Sequence, residues 1–295
     1  MVYSLFPGHI TVDEISFLYP STLQVAVLRL DKLHPVISGN KWFKLRFFLA
    51  EALRQKKGLV TFGGAWSNHI VATAAACRLN NLASIGIIRG EEPAVWSSAL
   101  QDAKACGMQL HFISRTSYKE KHVPEALHAI MHKYLLVPEG GYGATGATGA
   151  ATIMDFLAED YTHYICAAGT GTMTAGLINA APPGSEVIGI SMLKNNHSLE
   201  QAVKSLLHSH HASWQLLHGY HGGGYARHNP ALLEFMNDLY EKTGIPTDIV
   251  YTGKLFFAAS ELIRDSFFPP GSRILIIHSG GLQGNRSLPK GSLIF

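Results

Sequence analysis

The sequence predicts an α/β protein with parallel sheet order, and three observations carry the prediction. Short apolar runs alternate with helix-like stretches at the spacing of βα units. Several runs end directly in glycine-rich turns, the arrangement in which strands of open sheets deliver ligand-binding loops. The chain has 295 residues, 47% of them hydrophobic and 15% charged, enough for a large core and a length prior of about two domains.

From Val2 to Pro35 short strands and turns are expected, with Leu23 to Leu30 alternating at period two. The stretch Gly39-Asn40-Lys41-Trp42-Phe43-Lys44 is a lysine-bearing turn. It opens an apolar helical pattern (Phe47, Phe48, Leu49, Leu53) that runs roughly to Lys56. Gly58 to Phe62 reads as a buried parallel strand ending at Gly63-Gly64. Ser67 or Asn68 caps the next helix, whose Ala72 to Ala76 run permits close packing. Ala83 to Ile88 is a strand, Ala99 to Cys106 a helix closed by Gly107, and Gln109 to Ile113 another strand. The run from Glu139 to Ala150 is too glycine-rich to begin as a stable helix. It reads as a flexible crossover between domains, the commoner case, or as glycines that admit backbone to a ligand.

Further along, Tyr164 to Ala168 is a strand, Gly169-Thr170-Gly171-Thr172 a loop of backbone donors and hydroxyls, and Met173 onward a helix. That order suits an anion held by N–H groups at a helix start. It matches neither a P-loop nor a Rossmann fingerprint, because no Gly-Lys-Ser/Thr follows and Thr174 stands where the third glycine belongs. Glu186 to Ser191 is a strand. Histidines crowd between 208 and 228, yet His210 and His211 point about 100° apart on a helix and no cysteine or HExxH spacing accompanies them. No metal site is expected there, only a polar, partly exposed helix-loop region. A helix from Pro230 to Thr243 ends at Gly244. Asp248 to Lys254 is strand-like, and a helix from Phe257 to Phe267 follows. The strand Arg273 to Ile277 delivers His278-Ser279-Gly280-Gly281 at its C-terminal end.

Composition excludes several function classes. A net charge of +3 without any Lys/Arg-rich run argues against nucleic acid. No apolar run reaches the roughly 18 to 20 residues of a bilayer span, and no signal-peptide pattern opens the chain. Three unevenly spaced cysteines (Cys77, Cys106, Cys166) fit a reducing compartment. A cytoplasmic protein without membrane or nucleic-acid partners is expected.

A lysine at a helix start is ordinarily a solvated residue; what changes the reading of Lys41 is its company. An amine nucleophile, the hydroxyl-amide turn Ser67-Asn68-His69 and an anion-holding loop are parts that a pyridoxal-phosphate enzyme needs. Such a site also needs a partner for the pyridine nitrogen and donors for the substrate carboxylate. The residues alone leave open a nucleotide-binding α/β enzyme and a two-lobed small-ligand binding protein.

The ordered series Gly39-Asn40-Lys41, Ser67-Asn68-His69, Glu139-Gly140-Gly141, Thr170-Gly171-Thr172, Gly224-Tyr225, Val250-Tyr251-Thr252-Gly253-Lys254 and His278-Ser279-Gly280-Gly281 resembles the 1-aminocyclopropane-1-carboxylate deaminase/D-cysteine desulfhydrase family. The resemblance runs from about Pro35 to Gly281. It implies fold-type II, the tryptophan synthase beta-like architecture: two open, twisted, mostly parallel sheets flanked by helices. A large domain from 1–44 and 150–295 would bind pyridoxal 5'-phosphate, and 45–149 would form a smaller inserted α/β domain. A homodimer acting on a small amino-acid substrate is implied as well.

Residue by residue, the resemblance makes Lys41 the Schiff-base lysine, and Lys44 a phosphate contact with Thr170, Gly171 and Thr172. Asn68 would bond the ring's phenolic oxygen. Ser67, Asn68 and His69 would hold the substrate carboxylate, with Ser67 also a nucleophile or proton carrier. Tyr225 and Tyr251 match two active-site tyrosines. Thr252 lies at the position of the pyridine-nitrogen partner, with Ser279 in the later block. Cyclopropane-opening members carry glutamate and leucine at these last two positions, and desulfhydrase-like members carry hydroxyls. Thr252 and Ser279 therefore imply β-elimination on a small D-amino acid, with D-cysteine giving pyruvate, ammonia and sulfide. The alternatives are deamination of the cyclopropane amino acid and a catalytically silent cofactor-binding protein. The chain departs from the family pattern at Phe43, Arg46, Gly143 and Met173, and Trp42 and Trp66 flank the two key turns as pocket-shaping or packing residues.

Overall fold

The computed structural model describes residues 10–37 and 39–295. The expected strand-and-turn region between Val2 and His9 lies outside them. The strands are β1 (Val12–Glu14), β2 (Gln24–Arg29), β3 (Gly58–Gly63), β4 (Ser84–Arg89), β5 (Gln109–Ile113), β6 (Tyr134–Val137), β7 (His163–Ala168), β8 (Glu186–Ser191), β9 (Ser213–Leu217) and β10 (Arg273–His278). Between them run α1 (Asn40–Gln55), α2 (Asn68–Leu79), α3 (Ser98–Ala105), α4 (Arg115–Lys119), α5 (Glu125–His128), α6 (Ala144–Ala151), α7 (Thr172–Ala180), α8 (Leu199–Lys204), α9 (Pro230–Thr243) and α10 (Thr252–Arg264).

Two sheets result. Six strands lie in the order β1-β2-β10-β7-β8-β9, and four in the order β5-β4-β3-β6. Every pairing is parallel except β1 with β2. Parallel strands need crossovers and are covered by helices on both faces, which is why these strands read as unbroken apolar runs. The expected period-two alternation in β2 fails for this reason: Val25 and Val27 enter one core while Ala26 and Leu28 enter the other.

In each sheet the chain order reverses at one place. From β7 it passes to β8 on one side, while β10 lies on the other; from β3 it passes to β4 on one side, while β6 lies on the other. Open α/β sheets bind ligands outside the strand C-termini at such switch points. Here the loops after β7, β10, β3 and β6 are the four glycine-rich segments singled out in the sequence.

Three expectations are corrected. The glycine-rich run after Glu139 forms helix α6 rather than a flexible crossover. Its glycines admit backbone, but the backbone of neighbouring helices: a Cβ on Gly149 would lie 2.1 Å from Phe43 O in α1, and one on Gly176 of α7 would lie 2.5 Å from Ala147 O. Packing outweighs poor intrinsic propensity. The histidine-rich stretch holds an edge strand, β9, instead of a helix. His208, His210 and His211 are exposed, and His218 Nε2 bonds Glu200 Oε1 at 2.6 Å. Asp248 to Lys254 is not extended. The Asp248 carboxylate accepts the backbone N–H groups of Val250, Tyr251 and Thr252, and this cap turns the chain into α10 at Thr252.

Candidate active site

The four switch-point loops enclose a cavity of about 490 Å³. Lys41 and Lys44 enter it from the first turn of α1. That helix begins where it does because Gly39, at φ +65°, lies against Ser279; a Cβ there would meet Ser279 O at 1.7 Å. The Asn40 amide N–H also donates to Ser279 O at 3.2 Å, tying the lysine helix to the loop after β10.

Lys41 Nζ donates to Asn40 Oδ1 at 2.8 Å and stands 5.8 Å from the centre of the Tyr251 ring. Loss of hydration lowers its pKa to about 8, against the opposing pull of Asp248. Lys44 is 5% exposed. Burial, and then the charge of Lys41, hold its pKa well below the ordinary lysine range. Two amines in one apolar-backed cavity make it strongly receptive to an anion.

The loop after β7 supplies the complement. Gly171, at φ +78°, is the N-cap of α7, and no side chain caps the helix, so its first N–H groups face outward as anion donors. Thr170 Oγ1 and Thr172 Oγ1 lie 3.0 Å apart. Thr170 and Gly171 line the cavity, whereas Thr172 is fully buried beside it.

After β3, Ser67 caps α2, its hydroxyl accepting from Ile70 N at 3.4 Å. The amide N–H groups of Asn68 and His69 are then the free donors of the first turn. The His69 imidazole is not a donor into the cavity. Thr61 Oγ1 gives its proton to Val137 O at 2.7 Å, so at 2.9 Å it accepts from His69 Nε2. This leaves Nδ1 as an unpartnered acceptor. Burial, followed by the charges of Lys41 and Lys44, drops the His69 pKa to about 3 and keeps the ring neutral.

Ser67, Asn68, His69, Tyr225, Tyr251 and Ser279 all line the cavity. The two tyrosines meet edge to face with ring centres 6.2 Å apart, and Tyr225 is 44% exposed at the mouth. Thr252 does not reach the cavity. It is fully buried, and its hydroxyl is bound to Asp248 on both sides, donating to Oδ1 at 2.8 Å and accepting from N at 2.7 Å.

The family departures have local roles. Phe43 packs edge to face on Phe156 at 5.6 Å, Arg46 donates to Thr152 Oγ1 at 2.6 Å, and Met173 Sδ accepts from Asn40 Nδ2 at 3.3 Å. Gly143, at φ +118°, precedes α6 with open space where a side chain would go. Trp42 is a core residue, while Trp66 is 48% exposed and lines the cavity.

Sequence reasoning gave no role to Asp248, although an aspartate four residues before Thr252 is a cap signal, nor to Lys254. Lys254 is buried and donates to His221 O at 2.8 Å and Gly224 O at 2.7 Å, fixing the loop that carries Tyr225. Arg89 and Arg115, which also line the cavity, lay outside every motif.

An amine of lowered pKa and a buried second lysine face an uncapped helix start within one enclosed space. This donor set suits a phosphorylated aldehyde, the aldehyde at Lys41 and the phosphate between Lys44 and the α7 N-terminus.

Comparison with known proteins agrees. Residues 18–280 match the family model described as pyridoxal-phosphate dependent enzyme. A putative 1-aminocyclopropane-1-carboxylate deaminase of Thermotoga maritima is 30% identical, covering 88% of this chain and 89% of its own length. A bifunctional D-cysteine desulfhydrase/1-aminocyclopropane-1-carboxylate deaminase of Arabidopsis thaliana is 29% identical over 90% of this chain and 74% of its own length. The solved structure of a protein described as an ACC deaminase homologue shares the fold at a TM-score of 0.80 and 23% identity, covering 96% of this chain and 92% of that one. The chain belongs to the pyridoxal-phosphate-dependent enzyme family.

Proposed function

We propose that this protein is a lyase that β-eliminates a small amino acid, with D-cysteine giving pyruvate, ammonia and sulfide as the prototype. The observation that carries the reading is that Lys41, the α7 anion loop and the Ser67 turn all line one cavity. Bound through Lys41, pyridoxal phosphate supplies an electron sink that acidifies the α-C–H of the amino acid.

The remaining work falls to the chain. Lys44, Thr170, Gly171 and the first N–H groups of α7, with Thr172 behind them, hold the phosphate. Asn68 bonds the phenolic oxygen. The Ser67 hydroxyl and the backbone N–H groups of Asn68 and His69 receive the substrate carboxylate, a role that the acceptor face of the His69 ring could not perform. Lys41, with its pKa near 8, is deprotonated often enough at neutral pH to take the α-proton. Tyr251, whose phenol is held neutral by burial, and Tyr225 can deliver a proton to the departing β-substituent. That substituent leaves with its bonding electron pair, and water completes the release of keto acid and ammonia.

The choice of β-elimination over cyclopropane opening rests on the pyridine end. Ser279, the neutral hydroxyl assigned to the pyridine end in this reading, lines the cavity. Asp248, a carboxylate behind Gly281, has its oxygens taken up by four donors. A neutral partner makes a weaker sink, sufficient to expel a thiol. The name of the Thermotoga relative favours the second reading, a 1-aminocyclopropane-1-carboxylate deaminase giving α-ketobutyrate and ammonia, while the bifunctional Arabidopsis relative is named for both activities.

The same proposal includes a division into a 1–44 plus 150–295 unit and a 45–149 unit, supported by the four strands β3 to β6 all falling in the second. It also includes a homodimer and a cytosolic setting, the latter supported by three unpaired cysteines. No helix among the described residues is long and apolar enough to cross a membrane.

The test is a keto-acid assay over a panel of D- and L-amino acids, with the visible spectrum recorded alongside. The expected result is a coloured protein that releases pyruvate from D-cysteine, with colour and release both lost in Lys41→Ala. A colourless wild-type protein in saturating pyridoxal phosphate would overturn the reading, and a coloured protein making only α-ketobutyrate would support the second.

A further inference from the structure

We propose that the cavity mouth is a second anion site, selecting amino acids that carry a further anionic group (carboxylate, sulfonate or phosphate) at their far end. The inference rests on the function proposed above, since it names the substrate class of the same site. Charge on the cavity wall is unequally divided. Lys41, Lys44, Arg89 and Arg115 line it, against the carboxylate of Glu139. Glu139 is ion-paired with Lys121, and among the described residues neither arginine has an ion-pair partner. The inner pair of lysines serves the cofactor. The outer pair of arginines has no role in the reaction described.

Sheet register fixes where these arginines stand. Gly63 at the end of β3 pairs with Ile88 of β4, and Arg89, the next residue, pairs with Ile113 at the end of β5. Arg115 opens α4 just beyond. The segments following β3, β4 and β5 therefore lie side by side along one sheet edge, about 5 Å apart per strand. The first holds the Ser67 turn; the second and third carry Arg89 and Arg115. An amino acid with its α-carboxylate at the turn can reach Arg89 with a group two or three bonds further out.

Arg89 is also close to the turn itself, since a Cβ placed on Gly64 would lie 3.6 Å from Arg89 Nη2. The Tyr118 ring, 5.8 Å from the Arg89 guanidinium, backs it, and a basic recess of Arg115, Lys119 and Lys121 continues outward. A guanidinium fork binds carboxylate, sulfonate and phosphate alike.

The test compares two ligands that lack an α-hydrogen, so that binding is read without turnover: racemic 2-methylaspartate and 2-aminoisobutyrate. They differ only in the far carboxylate. Calorimetric titration of the cofactor-loaded wild-type protein is expected to give on the order of 10-fold tighter binding of 2-methylaspartate, the scale of a charge-assisted pair. In the double variant Arg89→Gln/Arg115→Gln the ratio should fall to near one, with visible absorbance and thermal midpoint unchanged. Equal affinities in the wild type, or a ratio that survives the double substitution, would overturn the inference. So would a parallel loss for both ligands, which would assign the arginines to the α-carboxylate. Because absorbance is recorded separately, a coloured protein with a ratio near one fails this inference alone, and a colourless one fails the proposed function.

Discussion

Thr252 donates its hydroxyl proton to Asp248 Oδ1 at 2.8 Å and accepts the Asp248 amide N–H at 2.7 Å, so its hydrogen-bonding capacity is spent inside the start of α10. Asp248 is itself fully buried, and burial raises its pKa although four donors surround it. A threonine expected to face the cofactor ring instead closes a cap, and the cap sets Tyr251 at the cavity wall.

Thr252→Val keeps shape and volume but leaves the Asp248 amide and carboxylate each short of a partner. The expected cost is about 1–3 kcal/mol, the scale of lost hydrogen bonds to a charged group. It should appear as a lower urea midpoint with the visible cofactor band unmoved. Ser279→Ala, at the cavity wall, should do the reverse and shift the band at nearly constant stability. A band shift in Thr252→Val without loss of stability would return Thr252 to the ring.

The lowered pKa of Lys41 gives a pH dependence of defined sign. Imine formation needs the free amine, so the rate at which apo-protein develops visible absorbance with pyridoxal phosphate should rise with pH and level off above about 8. An unperturbed lysine would still be gaining near pH 10. The linked stability has the same direction. Folded Lys41 gives up its proton more readily than unfolded Lys41, so apo-protein stability rises with pH between the two values. Stopped-flow absorbance from pH 6.5 to 10 checks the rate, and a midpoint at or above 10 would exclude burial of the amine.

Much of this site was legible because α/β folds put ligand loops where strands end, and strand ends are marked by glycine. Gly63-Gly64, Gly169 to Gly171 and Gly280-Gly281 were visible as turns, and the structure brings all three to one cavity. Family resemblance supplied roles that spacing could not. What escaped depends on contacts between distant segments. The tautomer of His69 is set by Thr61 and the Val137 carbonyl, partners on two other elements that no local pattern announces. Arg89 was hidden as the last residue of an apolar strand, and its position beside Gly64 follows only from register. Asp248 was misread as the opening of a strand because Ile249 and Val250 favour extension, while a single carboxylate capping three backbone amides overrides them.

The helix misread as a crossover yields the sharpest test of how the fold holds the site. In an isolated helix, Gly149→Ala would stabilise by roughly 1 kcal/mol through propensity alone. In this protein the added Cβ would stand 2.1 Å from Phe43 O and 3.5 Å from the Lys44 Cα. Backbone atoms cannot swing aside as a side-chain tip can, so α1 and α6 must separate. The expected result is a net loss of about 1–3 kcal/mol, the usual range for overpacking, read as a lower urea midpoint. Because α1 carries both Lys41 and Lys44, the displacement should also weaken retention of pyridoxal phosphate on dialysis, although residue 149 faces no ligand. Gly143→Ala, with open space around it but φ at +118°, should cost stability through backbone strain while leaving cofactor retention intact. If Gly149→Ala proved as stable and as firmly coloured as the wild type, the close approach of these two helices would have no part in holding the lysines in place.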